Sequence, residues 1–563
     1  MTFSQFFHRL AASRSRRLND QGLLLWARGE LPDAESLLRA AIHKNPANAA
    51  AISNLGALLM ALHRYDEGMG LLQQAAVVNG QDPGILVNLG NAYHLGSQPE
   101  LAINCYRQAL AHEPENVQAN LNILRPLLEV CDWGGVAQRL AFIRERFVID
   151  SVKAFNLITP FNAIFLPFSR SEIHAIAALY AAANHAIDER QRPSAIKLNT
   201  DGHRIKVAYL SSDFHDHPTA HLTLGIYERH DRKRFEIYAY SIGRPDSGAY
   251  RSKISKAVDH FKDVHLRSDR EIATEIKADG IDILMDMKGY TGGSRSGILA
   301  LRPAPIQVNY LGYPGTMGAD FIDFLIADPI TIPADHEPDY SEQIVRLPHT
   351  YQSTDNCQEI DAVPVDRASA GLPADAFVFC CLNVSAKIDK ASFSAWMKIL
   401  LAVPQSVIWL LDTSASAQAN LAKAAHEQGL DPRRILYAKI VPKALHLARL
   451  RLADLMLDTF ICNAHTTATD ALWAGVPLVT KTGETFASRV ATSLLHAVGL
   501  PQLAVNTEAE YIHLAVEIAQ DPARLQILRD SLKDRLHTPL FDTAAYVADL
   551  DRVLLSMYRQ KAR

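Results

Sequence analysis

The residues best suited to chemistry are polar side chains that follow short apolar runs. The densest group is SSDFHDHPTAH, residues 211–221, which follows the apolar run 207–210 and contains three histidines and two aspartates. A histidine in such a loop can orient a substrate or handle a proton. The same residue types could bind a metal, but no second cluster of histidines and carboxylates is paired with them, so we expect no metal site. The plain alternative is that these imidazoles only form hydrogen bonds within the loop.

Two glycine-rich segments occupy similar positions in the same half of the chain. GYTGG, residues 289–293, follows an apolar run that ends at Asp286, and LGYPGT, residues 311–316, follows the next run. Glycine lets a ligand approach the backbone amides closely. Each segment alone is a weak signal. Together with residues 211–221 they indicate a ligand site at the ends of successive strands.

The second half of the chain carries cationic side chains at corresponding positions. Lys387 ends the segment NVSAK, after the apolar run 377–382, and can reach an anionic group in a cleft. A solvated surface lysine is the alternative. Lys443 and His446 are three residues apart, so they share a face if a helix starts there.

The most specific local pattern lies between residues 458 and 477. His465, Thr466 and Thr467 precede an apolar helical segment that a glycine and a proline close. The free amides and hydroxyls at such a helix start form a seat for phosphate. Asp470, one turn further, can accept hydrogen bonds from ribose hydroxyls. In the alternative interpretation, Thr466 or Thr467 only caps the helix.

Short apolar runs alternate with helix-sized intervals from about residue 204 onward. We expect strands at residues 207–210, 235–242, 281–285, 306–311, 324–327, 377–382, 407–411, 435–437, 455–457 and 476–480. This alternation is typical of parallel sheets, and the turn-rich stretch 358–373 divides the strands into two sets. We therefore predict two Rossmann-like domains with a ligand cleft at the carboxyl ends of both sheets. No GxGxxG or GxxxxGK(S/T) pattern follows a strand, which excludes dinucleotide dehydrogenases and P-loop kinases.

Residues 18–125 are self-similar with a period of 34 residues. The motif NLG at residues 54–56 recurs at 88–90, and alanine recurs at positions 41, 75 and 109. This period, with small residues where two helices cross, predicts a tetratricopeptide superhelix whose groove binds extended peptides. Asn54, Asn88 and Asn122 share one register and could form an amide ladder that binds peptide backbone in that groove. The alternative is that these asparagines satisfy helix ends or turns.

The overall composition excludes several classes of protein. Lys and Arg total 57, and Asp and Glu total 61; this near-balance predicts no nucleic-acid partner and no polybasic membrane patch. The six cysteines lack CxxC spacing, so we expect neither structural zinc nor a disulfide framework. No apolar stretch has the length of a membrane span. We therefore expect a cytoplasmic protein without a membrane partner.

The repeats and motifs together resemble the O-GlcNAc transferase/SPINDLY family. The motifs that carry the resemblance are SSDFHDHPTAH, MKGYTGG, LRPAPIQVNYLGYPGTMG, KIVPKALH and LDTFICNAHTTATDALWAGVPLVTKTGETFASR. The family implies a glycosyltransferase-B fold, inversion at the anomeric carbon, no metal, and repeats that present serine and threonine residues of acceptor proteins. The only Asp-x-Asp motif, residues 549–551, lies in a predicted helical segment far from any strand end. Its position disfavours a metal-dependent glycosyltransferase.

The resemblance implies a role for each matching residue. Lys387 is expected to bind the diphosphate and to act in catalysis, and His217 matches the histidine near the anomeric carbon. His217 or a phosphate oxygen would take the acceptor proton, and the sequence leaves that choice open. The expected phosphate ligands are His465, Thr466 and Thr467; the uridine and ribose contacts are Val441, Lys443, His446 and Asp470; and the sugar and acceptor pocket is Thr291, Gly312, Pro314 and Thr316.

These observations define four segments and one expected activity. We predict a tetratricopeptide superhelix at residues 1–150, a helical linker at 151–203, an N-terminal Rossmann-like lobe at 204–365 and a C-terminal nucleotide-sugar-binding Rossmann-like lobe at 366–563. The predicted reaction is metal-independent, inverting transfer of N-acetylglucosamine from UDP-GlcNAc to Ser/Thr hydroxyls of proteins held by the repeats, with no cofactor. The alternatives are a protein O-fucosyltransferase that uses GDP-fucose and a peptide-binding scaffold with a UDP site and little turnover.

Overall fold

The structure is a computed structural model that describes residues 3–27, 29–149, 158–185, 198 and 204–562. The chain forms two compact units, Met1–Ala154 and Phe155–Arg563. No helix in the described part of the chain is long and apolar enough to cross a membrane.

The N-terminal unit is helical throughout its described residues. Its helices are α1 (Phe3–Ala27), α2 (Leu31–Lys44), α3 (Ala49–Ala61), α4 (Tyr65–Val78), α5 (Pro83–Leu95), α6 (Pro99–His112), α7 (Val117–Asn122), α8 (Leu124–Glu129) and α9 (Trp133–Ile149). Consecutive helices pack as pairs, α1 with α2, α3 with α4 and α5 with α6, and α3 also contacts α1 and α5. This arrangement confirms the helical pairs that the 34-residue period predicts.

Glycine at two positions lets the paired helices approach closely. A Cβ atom at Gly56 would lie 2.8 Å from Leu72 Cγ, and one at Gly90 would lie 2.7 Å from Tyr106 Cε1. Both distances are far inside van der Waals contact, so a larger residue would push the facing helix away. The small residues of the sequence repeat therefore mark the helix crossings.

The C-terminal unit begins with two helices and a parallel sheet. Its first elements are α10 (Pro160–Ala163), α11 (Arg170–Asn184), β1 (Ile205–Ser211), α12 (Pro218–Arg229), β2 (Phe235–Ser241), α13 (Ala249–Ala257), β3 (His260–Asp263), α14 (Asp269–Ala278), β4 (Ile283–Asp286), α15 (Ser296–Ala300), β5 (Ile306–Asn309), β6 (Phe324–Ala327) and β7 (Gln343–Arg346). The strand order is β3-β2-β1-β4-β5-β6-β7, and the neighbours are parallel. The order reverses between β1 and β4, which is where ligands bind in such sheets. Of the predicted linker, residues 158–185 form α10 and α11; most of the others lie outside the described residues.

A second parallel sheet follows. Its elements are β8 (Phe377–Cys381), α16 (Lys390–Ala402), β9 (Ser406–Leu411), α17 (Ala415–Glu427), β10 (Ile435–Ala438), α18 (Lys443–Leu450), β11 (Leu455–Leu457), α19 (Thr466–Ala474), β12 (Leu478–Lys481), α20 (Val490–Ala497), β13 (Ala504–Val505), α21 (Glu508–Gln520), α22 (Pro522–Ser531) and α23 (Thr543–Ala562). The order is β10-β9-β8-β11-β12-β13, with its reversal between β8 and β11. Two helix-flanked parallel sheets in one unit form the two-lobed α/β arrangement that the sequence predicts.

The last helix returns to the first lobe. His230 Nδ1 lies 2.5 Å from Asp551 Oδ1, and the hydroxyls of Tyr310 and Tyr546 are 2.6 Å apart. Residues 543–562 therefore pack on the first sheet, although the sequence placed them with the second lobe. The apolar face of α23 does not reveal which lobe covers it.

Candidate active site

Most predicted site residues lie in loops near the reversal point of each sheet. In the first lobe these loops follow β1, β4 and β5, and in the second lobe they follow β8, β10 and β11. Charges act across the two lobes at this level. Burial lowers the pKa of His221 on α12, Asp216 raises it, and the charges of Lys443 and Asp470 in the second lobe also act on it. The side-chain amide of Gln352, in the first lobe, donates to the hydroxyl of Thr469 on α19, so the two lobes meet beside these loops and border one cleft.

His217 occupies the N-cap position of α12, and the backbone holds its ring. The Thr219 N–H donates to His217 Nδ1 at 3.1 Å. This bond requires an unprotonated Nδ1, so the neutral imidazole carries its proton on Nε2. Burial lowers the pKa of His217 to about 4, although the neighbouring Asp213 carboxylate acts in the opposite direction. At neutral pH the ring is therefore uncharged and donates through Nε2.

The two glycine-rich loops pack directly on each other. A Cβ atom at Gly312 would lie 2.0 Å from the carbonyl oxygen of Met287, and one at Gly289, whose φ is +51°, would lie 2.4 Å from Tyr313 Cβ. The loops lie next to each other because β4 and β5 are neighbours in the sheet. Only glycine leaves enough room at these two positions for the loops to pack this closely. This contact places backbone from both loops at one edge of the cleft.

The predicted sugar-side residues lie in these loops with different exposure. The Thr291 hydroxyl donates to the carbonyl oxygen of Lys288 at 2.7 Å, and Thr291 is half-buried. Pro314 is buried. The Thr316 hydroxyl donates to Glu342 Oε2 at 2.7 Å, and Thr316 is only 2% exposed. Because Glu342 takes up this hydroxyl, Thr316 contributes shape to the pocket rather than a hydrogen bond to a ligand.

Lys387 lies beside the start of α19. It ends a short 3-10 helix after β8, and its Nζ donates to the carbonyl oxygen of Asn463 at 2.6 Å. Asp458, at the end of β11, fixes the intervening loop by accepting the Ala464 N–H at 2.6 Å. Burial raises the pKa of Asp458 to about 6. The ammonium of Lys387 therefore lies close to the N-terminus of α19.

Helix α19 begins without a side-chain cap. Thr466 and Thr467 are its first two residues, and His465 stands at the N-cap position with no capping hydrogen bond from its side chain. The His465 ring instead donates through Nε2 to the carbonyl oxygen of Ala487 at 3.2 Å. Burial, with the nearby charge of Lys387, lowers the pKa of His465 well below its usual value. The alternative in which Thr466 or Thr467 only caps the helix is therefore wrong.

The predicted uridine contacts form a second charged cluster. Lys443 Nζ pairs with Asp470 Oδ1, and His446 Nε2 lies 3.6 Å from Asp470 Oδ2. Lys443 and His446 share one face of α18, as their spacing predicts, and Val441 precedes that helix as a half-buried residue. Burial lowers the pKa of His446 to about 4. The cluster is preformed within the second lobe.

The described residues contain no group of three or more His, Cys, Asp or Glu side chains that could hold a metal ion. The Asp-x-Asp residues are engaged elsewhere. Asp549 pairs with Arg552 on α23, and Asp551 contacts His230. This motif therefore lies outside the cleft, as its sequence position indicates.

Each of the three asparagines of the predicted ladder donates to a side chain on the helix two elements earlier in the chain. Asn54 donates to Asn19 Oδ1 at 2.8 Å, and Asn88 donates to Ser53 Oγ at 3.0 Å. Asn122, at the end of α7, donates to Asn91 Oδ1 at 2.8 Å. Asn54 and Asn88 lie inside helices, so they do not serve helix ends. Peptide binding by this row stays a prediction.

Sequence reasoning missed several residues that organise the cleft. Lys288, buried after β4, pairs with Asp213 at 2.6 Å. Asn383, buried after β8, accepts the hydroxyl of Thr467. Lys288 stands in the quoted motif MKGYTGG, and a lysine between a strand end and a glycine turn was the available signal. Asn383 offered no distinguishing signal, since its role depends on a residue far along the chain.

Comparison with known proteins agrees with this architecture. The model of "Glycosyl transferase family 41" matches residues 130–363 and 353–550, and tetratricopeptide-repeat models match residues 25–86 and 85–118. A solved mutant O-GlcNAc transferase from Thermobaculum terrenum superimposes with a TM-score of 0.71 and 25% identity, over 100% of this chain and 99% of that one.

Curated relatives carry related names. One is the "Probable UDP-N-acetylglucosamine--peptide N-acetylglucosaminyltransferase SEC" of Arabidopsis thaliana, 37% identical over 453 residues, covering 77% of this chain and 46% of the relative. Another is the "UDP-N-acetylglucosamine--peptide N-acetylglucosaminyltransferase" of Caenorhabditis elegans, 30% identical over 553 residues, covering 77% and 48%. The chain thus spans about half the length of these relatives. From its two-lobed fold and the family match, the chain belongs to glycosyl transferase family 41.

Proposed function

We propose that this chain transfers N-acetylglucosamine from UDP-GlcNAc to serine and threonine hydroxyls of proteins, with inversion and without a metal or other cofactor. The observation that carries the proposal is the position of Lys387 beside the uncapped start of α19. A diphosphate needs cationic and N–H donors there, because negative charge grows on it as the sugar leaves. His465, Thr466 and Thr467 complete this phosphate seat.

The second charged cluster supports a nucleoside next to that seat. Asp470 lies one turn into α19 and accepts from Lys443. A ribose hydroxyl can donate to the same carboxylate, while Lys443, His446 and Val441 contact the ribose and the base. Lys443 and His446 lie on α18, Val441 lies just before it, and Asp470 lies on α19, which packs against α18. The diphosphate and the nucleoside would therefore extend along one face of the second lobe.

The first lobe would hold the sugar and the acceptor. In this proposal the loops around Thr291, Gly312 and Pro314 would form the side of the cleft opposite the phosphate site. His217, with its proton on Nε2, would donate a hydrogen bond to an oxygen of the donor substrate. We therefore assign the acceptor proton to a phosphate oxygen of the departing diphosphate rather than to His217.

The repeats would present the acceptor protein. The ladder of Asn54, Asn88 and Asn122 supplies side-chain amides, which pair with the backbone of an extended peptide. We also propose a cytoplasmic location and no nucleic-acid partner. The six cysteines lack CxxC spacing, which suits a reducing compartment, and the net charge of −4 supplies no basic surface in bulk.

A donor panel tests the proposed substrate. Calorimetric titration of the purified chain with UDP and GDP should give tighter binding of UDP. A subsequent panel of UDP-GlcNAc, UDP-glucose and GDP-fucose should release nucleotide most rapidly from UDP-GlcNAc in the presence of a protein acceptor. Tighter GDP binding, with turnover of GDP-fucose, would overturn the donor assignment. UDP binding without turnover of any sugar would indicate a scaffold instead.

A further inference from the structure

Lys288 is a buried cation that the proposed reaction does not use. It follows β4, is 5% exposed, and places Nζ 2.6 Å from Asp213 Oδ2. Asp213, in the loop after β1, is 5% exposed. Burial acts to raise the pKa of Asp213, but the Lys288 ammonium outweighs this effect and holds that pKa below the usual range, so the carboxylate is ionised. Removing either partner of such a pair leaves an uncompensated charge inside the protein.

The same carboxylate oxygen also faces His217. Asp213 Oδ2 lies 3.4 Å from His217 Nδ1 and accepts the Thr219 hydroxyl at 3.3 Å. Lys288 and a protonated His217 are therefore competitors for one anion. In the structure Lys288 makes the shorter contact, and His217 Nδ1 accepts the Thr219 N–H instead.

We propose that Lys288 is a positioning residue: by serving as the counter-charge of Asp213, it extends to lower pH the range in which His217 is neutral, with Nδ1 unprotonated and the proton on Nε2. Without this ammonium, Asp213 would attract a proton to Nδ1 of His217, since a nearby carboxylate favours the charged imidazole. The ring would then turn from an acceptor of the Thr219 N–H into a donor to Asp213.

The other ionisable groups around His217 do not supply the counter-charge that Asp213 needs. The rings of His215 and His217 are 5.5 Å apart, and His221 contacts Asp216 rather than Asp213, at 2.6 Å. Any protonation of His215 or His221 disfavours a charge on His217, as Lys288 does. The Asp213 carboxylate raises the pKa of His217. The Lys288 ammonium pairs with that carboxylate and acts in the opposite direction.

The test measures the protonation of the His217 ring directly in the full chain. The inference rests on the proposed function only for the role that this function gives to His217. Histidine labelled with ¹⁵N and ¹³C would be incorporated, and the His217 signals identified by their loss in His217→Gln. In the wild type, His217 should show an unprotonated Nδ1 and a protonated Nε2 throughout pH 5.5 to 8. In Lys288→Met, its titration midpoint should rise by about two pH units.

Control variants separate positioning from folding. Asp213→Asn/Lys288→Met removes both charges, so it should restore the wild-type ring state; circular dichroism and thermal melts would check that each variant is folded. A wild-type ring protonated on Nδ1, or an unchanged midpoint in folded Lys288→Met, would overturn the proposal. If Lys288→Met does not fold, Lys288→Gln, which keeps a polar side chain without the charge, takes its place, and an unchanged midpoint in that folded variant would overturn the proposal. None of these NMR measurements requires transfer activity. A donor assay that shows no transfer would therefore not change what they say about Lys288.

Discussion

The ammonium of Lys387 lies 2.6 Å from the carbonyl oxygen of Asn463, three residues before α19 begins. This contact joins the loop after β8 to the loop after β11, two strands that are neighbours at the reversal point of the second sheet. It holds a cation at a helix N-terminus before any ligand binds. A diphosphate arriving there would meet a site that is already assembled.

Lys387→Ala should weaken UDP binding by about 10- to 100-fold, because one hydrogen bond to a charged group is worth about 1.5–3 kcal/mol. Isothermal titration with UDP measures the change. Lys423→Ala is the matched control, since Lys423 lies exposed on α17 and should leave the affinity unchanged. Wild-type affinity in Lys387→Ala would remove this residue from the diphosphate site.

His217→Gln should slow transfer more than it weakens nucleotide binding. The imidazole donates through Nε2 to the reacting part of the donor in this account, so its loss acts on the rate of turnover. Steady-state kinetics together with UDP titration separates the two effects. An equal loss of UDP affinity and of turnover would instead make His217 a binding residue.

Acidification should destabilise the chain through His446. Burial lowers the pKa of His446 to about 4, below the ordinary value of about 6.5. Between these two values the unfolded chain binds a proton that the folded chain does not, so stability falls as the pH falls below about 6.5. Between pH 7 and 5 this costs about 2 kcal/mol.

Urea denaturation at several pH values measures this effect. His446→Gln should lose less stability between pH 7 and 5 than the wild type does, whereas His426→Gln, at an exposed position of α17, should behave as the wild type. Identical pH profiles for His446→Gln and the wild type would contradict the assignment of a buried, neutral His446.

Gly90→Ala should destabilise the repeat unit by about 1–3 kcal/mol, since the new methyl group would overlap the Tyr106 ring. Gly70→Ala is the control, because a Cβ atom there has nothing within 4 Å and Gly70 lies exposed in α4. It should be neutral or stabilising by up to about 1 kcal/mol. Chemical denaturation followed by circular dichroism compares them. Equal stability of the two variants would argue against close helix crossing at Gly90.

The amide ladder should affect protein acceptors and not the donor. Replacing Asn54, Asn88 and Asn122 together by alanine should reduce transfer to folded proteins, while UDP binding stays at the wild-type level. Gln74→Ala/Gln108→Ala is the control, because these exposed amides lie on α4 and α6 with the same 34-residue spacing. An equal effect of both sets would show that the ladder has no special role in acceptor binding.

The sequence predicted the buried strands better than the edges. The apolar run 207–210 lies within β1, and nearly all residues of that strand are buried. In contrast, β3 (His260–Asp263) and β7 (Gln343–Arg346) are polar and partly exposed, and β13 has two residues. An edge strand is covered on one side only, so its sequence carries no continuous apolar signal.

The site could be predicted to the level of individual loops, but not to the level of partners. The spacing of Lys443 and His446 correctly placed both on one face of α18. The pairing of Lys288 with Asp213, which are separated by 75 residues in sequence, depends on β1 and β4 becoming neighbours. No local pattern encodes such a contact, because it follows from the strand order of the folded sheet.

Transfer of the sugar to protein hydroxyls is the proposed reaction and can be measured on its own. The purified chain would be incubated with UDP-GlcNAc and a cell lysate, and modified serine and threonine residues would be identified by mass spectrometry while released UDP is measured. We expect N-acetylhexosamine on protein hydroxyls, with stoichiometric UDP release that falls sharply in Lys387→Ala and is unchanged in Lys423→Ala. Neither protein modification nor UDP release with the folded wild-type chain would contradict it.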